Sequence, residues 1–418
     1  MTQQPIVLPY GDPAFVADPF PFYRMLCQGQ PGEDGPVRRA VIAGGLEVWL
    51  VTPFEECLAA LSDPRLSSDV RLATDPRLMR QLPVAERESV LGNMLRADPP
   101  DHTRLRRLVS RAFTARRVAE LRPHVQEIAD RLLDAVVPTG RADLIEDFAL
   151  PLPVTVISEL LGVPTDDRRA FQRWVDHLLP WGAEPQDPAV VERAWRQMRA
   201  YLTGLLATKR VRPGEDLLSA LIEARDEQRR LTEDELVSMA FLLLAAGYIT
   251  TVNLIGGGIA ALLAHPDQLR TLRDDPALLP DAIEELLRYD GPVNPGVARF
   301  ASEDVSIAGV DIPRGATVLV GSALADRDPE RFPDPDRLDI SRGDSAHLAF
   351  GHGIHYCLGA SLARMEGEVA IGTVLRRLPQ LALSVAPGEL RWRPTGLRGP
   401  ERLPVTFTPG ASLAAVPS

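Results

Sequence analysis

The sequence contains little cysteine, no excess of basic residues and no apolar run at its start. Three cysteines occur among 418 residues, and their wide spacing provides neither a disulfide framework nor a Cys-x-x-Cys metal or redox pair. The formal charge of −11 argues against a general nucleic-acid binder, because phosphate recognition needs a basic face. No basic region followed by an apolar stretch opens the chain, so no signal peptide or N-terminal anchor is expected. These absences predict a cytoplasmic protein that binds no nucleic acid.

Several common catalytic signatures are also missing. There is no Walker loop and no His-Glu-x-x-His pair. Gly351-His-Gly353 lacks the third glycine of a dinucleotide loop, and the stretch from Gly359 to Ala363 lacks the second glycine of a nucleophile elbow. These omissions argue against nucleotide-dependent, zincin and serine-hydrolase chemistry.

The longest uncharged segment runs from Ser238 to Ala264. It is long enough to cross a bilayer, which takes about 20 residues, yet it contains several glycines and threonines and has no basic flank. We interpret it as a buried core helix of about 33 residues, capped by Thr232 with Glu235 and ended by Pro266. No membrane insertion is therefore expected.

The rest of the chain has mainly helical periodicity with few strand signals. Helices are predicted at 115–136, 151–162, 187–209, 214–229, 278–290 and 358–377, and strands at 38–42, 46–51, 299–307 and 317–320. No internal repeat or low-complexity linker is found. The sequence predicts a mainly α fold with a small β portion, in one domain over 1–418 whose β-rich subregion lies near the N-terminus.

The most informative segment surrounds the third cysteine: Phe350-Gly351-x-Gly353-x-His355-x-Cys357-x-Gly359. Its glycines permit a tight backbone that approaches a flat ligand closely. Cys357 lies at the start of a predicted helix, where the positive dipole end favours a thiolate and lowers the thiol pKa. A thiolate metal ligand is the functional interpretation.

Two simpler interpretations of Cys357 stay open on the residues alone. It can be a small buried apolar side chain, as most single cysteines are. It can also be a zinc ligand together with His347, His352 and His355, although four donors on one short segment converge poorly on a tetrahedral ion.

The cysteine segment resembles the haem-binding loop of the cytochrome P-450 superfamily, and further motifs in the expected order extend the resemblance over nearly the whole chain. The family's buried ion network is implied at Glu285, Arg288 and Arg337. The segment Asp98-Pro-Pro-Asp-His102-Thr-Arg104-Leu-Arg106-Arg107 resembles the helix that crosses the haem. The resemblance implies that the porphyrin of haem b is bound by His102, Arg106, Arg299, Phe350, Gly351, His355 and Gly359, with Cys357 on the iron.

The long apolar helix resembles the family's oxygen-binding helix at Ala246, Gly247 and Thr250. Gly247 and the Thr250 hydroxyl are expected to open the helix hydrogen-bond ladder locally, although Thr250 can instead bond within its own helix. The residue before the threonine is Ile249, where the family has an acid. Proton delivery is therefore expected to depend on Thr250 and ordered water. The distal pocket is implied at Leu242, Ala245, Val293, Val297 and about 81–96, with core packing as the alternative.

Helical geometry places Arg104, Arg107 and Arg111 together, facing away from His102 and Arg106. We expect either an ordinary solvated face or a basic patch that binds an acidic ferredoxin.

The resemblance implies a monomeric monooxygenase that uses O2 and NAD(P)H-derived electrons, delivered by a ferredoxin and a ferredoxin reductase, on a small apolar substrate. Motifs such as Ala-x-Arg327-Asp-Pro-Glu resemble bacterial members that hydroxylate or epoxidise polyketides and macrolides. A peroxide-driven or non-oxygenating enzyme and a haem-based sensor or carrier are the alternatives.

Overall fold

The computed structural model describes residues 5–28, 35–80, 92–164, 167, 173–174, 177–178, 187–228, 231–344, 346–394 and 396–410. Helices predominate in these ranges, as the sequence predicts. The α-helices are Pro13–Ala17, Phe20–Gln28, Phe54–Ser62, Pro76–Arg80, Asp101–Ser110, Ala115–Val136, Pro151–Leu161, Pro188–Val211, Leu217–Gln228, Glu233–Ala264, Pro266–Asp274, Leu279–Asp290, Ser322–Ala325 and Ala360–Arg377.

The helices expected from apolar periodicity are present, with ends close to the predicted ones. Local chemistry sets these ends. Thr114 accepts a hydrogen bond from the Arg117 N–H and so caps the helix Ala115–Val136. Gly162, with a φ of 67°, ends the helix Pro151–Leu161 in a left-handed conformation.

The segment without charges forms the helix Glu233–Ala264, hereafter the central helix. Thr232 and Glu235 form the predicted capping box, and the helix ends at His265, immediately before Pro266. By length and composition this helix could span a membrane, but 72% of its most apolar window is buried inside the protein. The prediction of a buried core helix is confirmed.

Strands form a small sheet beside the helices. Its spatial order within the described residues is Ile6–Val7, Val37–Ile42, Leu46–Val51, Thr317–Val320, Val297–Ala301 and Leu66–Ser67. A second sheet contains Ala382–Leu383, Pro404–Thr406 and Arg141–Asp143.

One strand prediction needs correction. The stretch 299–307 is two strands, because Val297–Ala301 pairs within the larger sheet whereas Val305–Ile307 pairs with Val310–Ile312 in a separate hairpin. The hairpin turn uses positive φ at Ala308 and Gly309, 48° and 82°.

The main apolar core surrounds the central helix, which packs against the helices Pro151–Leu161, Leu279–Asp290 and Ala360–Arg377. Its midpoint faces the end of the strand Val297–Ala301 and the loop before Ala360. This arrangement leaves a cavity between the central helix and that loop.

Candidate active site

A cavity of about 440 Å³ lies between the central helix, the helix Asp101–Ser110, the strand Val297–Ala301 and the loop 348–359. We call Asp101–Ser110 the edge helix and 348–359 the cysteine loop. Most side chains that face the cavity are apolar, and the polar ones are concentrated toward its edge and on the central helix. Such a cavity suits a flat, largely apolar ligand with a charged rim.

The cysteine loop holds Cys357 toward this cavity. Gly351 and Gly353 have φ of 69° and 68°, which a side chain at either position would strain. The Cys357 N–H donates to the Phe350 carbonyl oxygen at 2.9 Å, and the next helix starts at Ala360 with Gly359 as its N-cap. Phe350, Gly351 and Gly359 all line the cavity, as expected for a ligand-binding loop.

The acidity of Cys357 differs from the sequence-based expectation. Burial raises the pKa of the thiol, while the Gly359 N–H, Arg106 and Arg364 act in the opposite direction. The helix start thus acts in the predicted direction through the Gly359 N–H, but desolvation outweighs it, and the predicted net lowering of the thiol pKa is wrong. A coordinated metal ion itself removes a thiol proton, so the position remains suited to a metal.

The zinc alternative does not fit. No group of three or more histidine, cysteine, aspartate or glutamate side chains in the described ranges could hold a metal ion. His347 instead contacts Glu284, with 3.3 Å between Nε2 and Oε2, and His355 contacts the Ser68 hydroxyl at 2.9 Å. Among the described residues one cysteine, Cys357, therefore faces the cavity, as a thiolate-bound haem iron would require.

Basic side chains border one edge of the cavity: His102, Arg106, Arg299 and His355. The imidazole rings of His102 and His355 lie with centroids 4.4 Å apart. His102 Nε2 is buried without a hydrogen-bond partner, and the described contacts of the Arg299 guanidinium are limited to the Ala298 carbonyl oxygen at 3.0 Å. Buried donors without acceptors are costly, so this edge fits a ligand with carboxylates such as a porphyrin.

The pKa values of the two histidines are both lowered at this edge. Burial lowers the pKa of His102, and the nearby Arg106 lowers it further. Burial also lowers the pKa of His355 to about 3, with added repulsion from Arg299, His102 and Arg106. The positive charge of the edge therefore resides on its arginines.

Arg106 also connects the edge helix to the cysteine loop. Its guanidinium donates to the carbonyl oxygens of Ile354 and Tyr356, at 2.9 and 2.6 Å. The backbone on both sides of His355 is thereby fixed to the edge helix, next to Cys357.

On the central helix, Ala246, Gly247 and Thr250 line the cavity as predicted. The expected local opening is not present, because the helix is continuous and the Thr250 hydroxyl donates to the Ala246 carbonyl oxygen at 3.1 Å. A Cβ at position 247 would lie 2.6 Å from Ile157 Cγ1, so this glycine permits close helix packing. Ile249 is buried and does not line the cavity.

The expected distal pocket is largely formed. Leu242, Val293 and Val297 line the cavity. Ala245 is buried but is not a lining residue, because its position on the helix turns it toward the core, and its assignment to the pocket is wrong. Of the segment 81–96, residues 81–91 lie outside the described ranges, while Met94 to Arg96 line the cavity.

The ion network next to the cavity has a different third member from the predicted one. Glu285 and Arg288 form a buried pair, with 2.7 Å between Oε2 and Nε. Arg342 supplies the third side chain, with its Nε 3.2 Å from Glu285 Oε2. The Arg337 side chain is 65% exposed, and only its backbone carbonyl accepts bonds from Arg288 and Arg342. The assignment of the Arg337 side chain to the network is therefore wrong.

The predicted basic patch is smaller than expected. Arg104 pairs with Glu235 of the central helix, with 2.5 Å between Nη2 and Oε1, and with Asp101. Arg107 is exposed, whereas the side chain of Arg111 lies outside the described residues. Two apolar side chains of the cysteine loop, Ile354 and Tyr356, are exposed at 50% and 38%.

Two charged residues that the sequence analysis did not single out lie at or near the site. Arg96 lines the cavity, and burial lowers its pKa. Glu366 is buried one helical turn after the cavity-lining Leu362, and burial raises its carboxyl pKa to about 8. An Ala-Arg-Met-Glu stretch after Leu362 carried no signal of burial, because its charges resemble those of a solvated face.

Three comparisons place this geometry among known proteins. A family model described as Cytochrome P450 matches residues 79–381. Cytochrome P450 monooxygenase PikC of Streptomyces venezuelae is 51% identical over 98% of this chain and 96% of its own length. Mycinamicin IV hydroxylase/epoxidase of Micromonospora griseorubida is 44% identical over 91% of this chain and 94% of its own. The solved structure of tirandamycin C-bound P450 monooxygenase TamI is 44% identical with a TM-score of 0.87, covering 96% of this chain and 100% of that one.

Proposed function

Because the chain belongs to the cytochrome P450 family and is a haem-dependent monooxygenase, we propose that it hydroxylates or epoxidises a polyketide- or macrolide-type substrate. The observation that supports this most is that Cys357 and Thr250 face one largely apolar cavity. The names of the relatives support the substrate class. We retain residues 1–418 as one catalytic domain, and a cytoplasmic monomer, as parts of the proposal.

In this proposal Cys357 binds the haem iron, and His102, Arg106, Arg299 and His355 bind the porphyrin carboxylates. The haem supplies activation of O2 with two electrons, which are derived from NAD(P)H. Phe350, Gly351 and Gly359 provide the close, flat surface beside the sulfur. The apolar residues of the central helix exclude bulk water and orient the substrate.

We propose that the Thr250 hydroxyl relays protons into the cavity. Ile249 has no titratable group, and the Thr250 hydroxyl faces the cavity while donating to Ala246. Rotation of this hydroxyl lets it donate into the cavity instead, since a hydroxyl also accepts from water. The role needs the oxygen atom and not the methyl group.

Thr250→Ala is expected to divert electrons from product to hydrogen peroxide. Without the hydroxyl, a positioned proton donor worth about 100-fold or more in rate is lost, so product formed per NAD(P)H consumed should fall about tenfold. Hydrogen peroxide and product are measured in the same reaction, at equal rates of NAD(P)H consumption in the compared proteins. Thr250→Ser keeps the hydroxyl and should retain most of the coupling; equal coupling in all three proteins would remove Thr250 from this role.

We propose that a ferredoxin, reduced by its reductase, binds at the cysteine loop. Arg107 provides exposed positive charge, and Ile354 with Tyr356 provides an exposed apolar contact. Arg106 fixes the edge helix to this loop, so a partner bound at Arg107 is held near Cys357. Acidic ferredoxins complement such a surface.

Arg107→Glu is expected to slow reduction by a ferredoxin about tenfold at low ionic strength, because steering by charge is lost and reversed. Stopped-flow reduction measures the rate, and the difference should shrink at high salt. Arg196→Glu is the control, since Arg196 is 67% exposed on a helix that does not line the cavity. Equal effects of both variants would show that only net charge matters.

The substrate class is tested by product analysis. The purified enzyme is supplied with a surrogate ferredoxin and reductase, and a panel of macrolides, linear polyketides and fatty acids is first screened by spin-state shift. A product that carries one oxygen atom from labelled O2 supports the proposal. Product formed with peroxide and no reductase would instead indicate a peroxide-driven enzyme, and a spectral shift without product would indicate a sensor or carrier.

A further inference from the structure

Arg96 belongs to a turn that is hydrogen-bonded to the central helix. Arg96 is the last residue of the 3-10 turn Met94–Arg96. Asn93 caps this turn, because its Oδ1 accepts a hydrogen bond from the Leu95 N–H at 3.0 Å. Asn93 is itself buried, and its amide donates to the Ser238 hydroxyl of the central helix at 3.1 Å. The position of Arg96 at the cavity is therefore fixed by the core rather than by a solvated loop.

The guanidinium of Arg96 has no acceptor in the described protein. It makes no hydrogen bond or ion pair there, although an arginine carries five N–H donors. Its neighbour Arg299 is 7% exposed and donates to one backbone carbonyl. Burial lowers the pKa of both arginines; Asp69 opposes this at Arg96 and Asp98 opposes it at Arg299, while Arg96 lowers the pKa of Arg299 further. Two adjacent cations with free donors indicate a site for an anion.

The nearby carboxylates are already occupied. Asp69 pairs with Arg71, with 2.7 Å between Oδ2 and Nη2. Asp98 accepts from the Ser67 hydroxyl and from the Ser68 N–H. Neither carboxylate forms an ion pair with Arg96 or Arg299 in the described residues.

A count of formal charge shows what kind of anion the edge fits. Arg96, Arg106 and Arg299 carry three formal positive charges, and Asp98 beside Arg299 carries one formal negative charge. The remaining two positive charges equal the charge of two carboxylates. Without Arg96, a single positive charge would face both carboxylates of a porphyrin.

We infer that Arg96 and Arg299 together bind one haem carboxylate, and that Arg96 is an additional cofactor-binding residue of this protein. The inference rests on the proposed haem site. Forked guanidinium groups suit this task because each can donate two parallel N–H bonds to one carboxylate. The hydrogen bond between Asn93 and Ser238 then connects retention of the cofactor to the central helix.

Arg96→Gln tests the inference in the holoenzyme. Loss of one charge-assisted contact should speed haem transfer to excess apomyoglobin about tenfold. The midpoint potential should become more negative, because a positive charge near the haem is removed. Arg96→Lys keeps the charge without the fork, so its potential should remain near that of the parent while its haem transfer is intermediate. Arg196→Gln is the matched control and should change neither quantity.

Two outcomes overturn the inference. If haem transfer and potential stay unchanged while dodecanoic acid binds more weakly and its methyl ester does not, Arg96 binds a substrate carboxylate. If none of these quantities changes, Arg96 binds no carboxylate. The absorption spectrum of the reduced carbon monoxide complex separates failure of the Arg96 inference from failure of the proposed function. If the proposed function holds, the parent and the Arg96 variants should all keep a thiolate-type band.

Discussion

Cys357→Ala is expected to abolish the thiolate-type spectrum and to reduce monooxygenase turnover to background. Cys357 provides the thiol at the cavity, and no cluster of other ligands replaces it in the described residues. Loss of an outer partner of a metal ligand already weakens binding up to about 100-fold, so loss of the ligand itself should cost more. The measurements are the haem-to-protein ratio and the absorption spectrum of the reduced carbon monoxide complex.

Cys27→Ala is the matched control for this substitution. Cys27 is partly buried and does not line the cavity, so its removal should leave pigment, spectrum and turnover as in the parent protein. A strongly red-shifted Soret band that persists in Cys357→Ala would contradict the assignment. An imidazole-type band in the parent protein would contradict it equally, since it would indicate that a histidine holds the iron.

The elements of the fold follow closely from the sequence because each has a local cause. The central helix has an apolar composition, a capping box at Thr232 and a terminating Pro266, and these signals lie within the helix or next to it. The stretch 299–307 was harder to assign, since its alternation is that of a strand throughout. Its division between two sheets depends on which distant strand each half meets.

The site was predictable where motif residues act directly on a ligand. Cys357, Thr250 and the basic residues of the edge all lie at one cavity, although they are far apart in sequence. The sequence-based assignment was wrong where the role of a residue depends on the direction in which its side chain points. Ala245 precedes Ala246 by one residue, yet a step of about 100° around a helix separates a core position from a lining one.

Charged side chains were the least predictable, because several partners compete for each of them. The spacing of Arg104 is that of a surface patch, but its guanidinium forms an ion pair with Glu235 of the central helix. That glutamate also accepts from the Thr232 N–H, so one carboxylate caps the central helix and secures the edge helix. Sequence spacing along one helix contains no information about such a partner on another.

The buried ion network tests whether contacts between distant residues decide the role of a charged side chain. Arg342 joins the network through its side chain, whereas Arg337 joins it through its backbone carbonyl. Arg342 contacts Glu285 and also donates to the carbonyl oxygens of Pro333, Asp334 and Arg337. Glu285 is 2% exposed, so removal of Arg342 leaves its buried carboxylate with one cationic partner instead of two and takes a donor from these carbonyl oxygens.

Arg342→Ala is therefore expected to lower the free energy of unfolding by about 2 kcal/mol, the scale of a lost hydrogen bond to a charged group. Arg337→Ala should change it by no more than about 0.5 kcal/mol, because the exposed side chain is lost while the backbone carbonyl that the network uses remains. Urea unfolding, at equal haem content in each protein, measures the change in the free energy of unfolding for the two variants. If Arg337→Ala were the more damaging substitution, the side chain of Arg337 and not that of Arg342 would hold the network together.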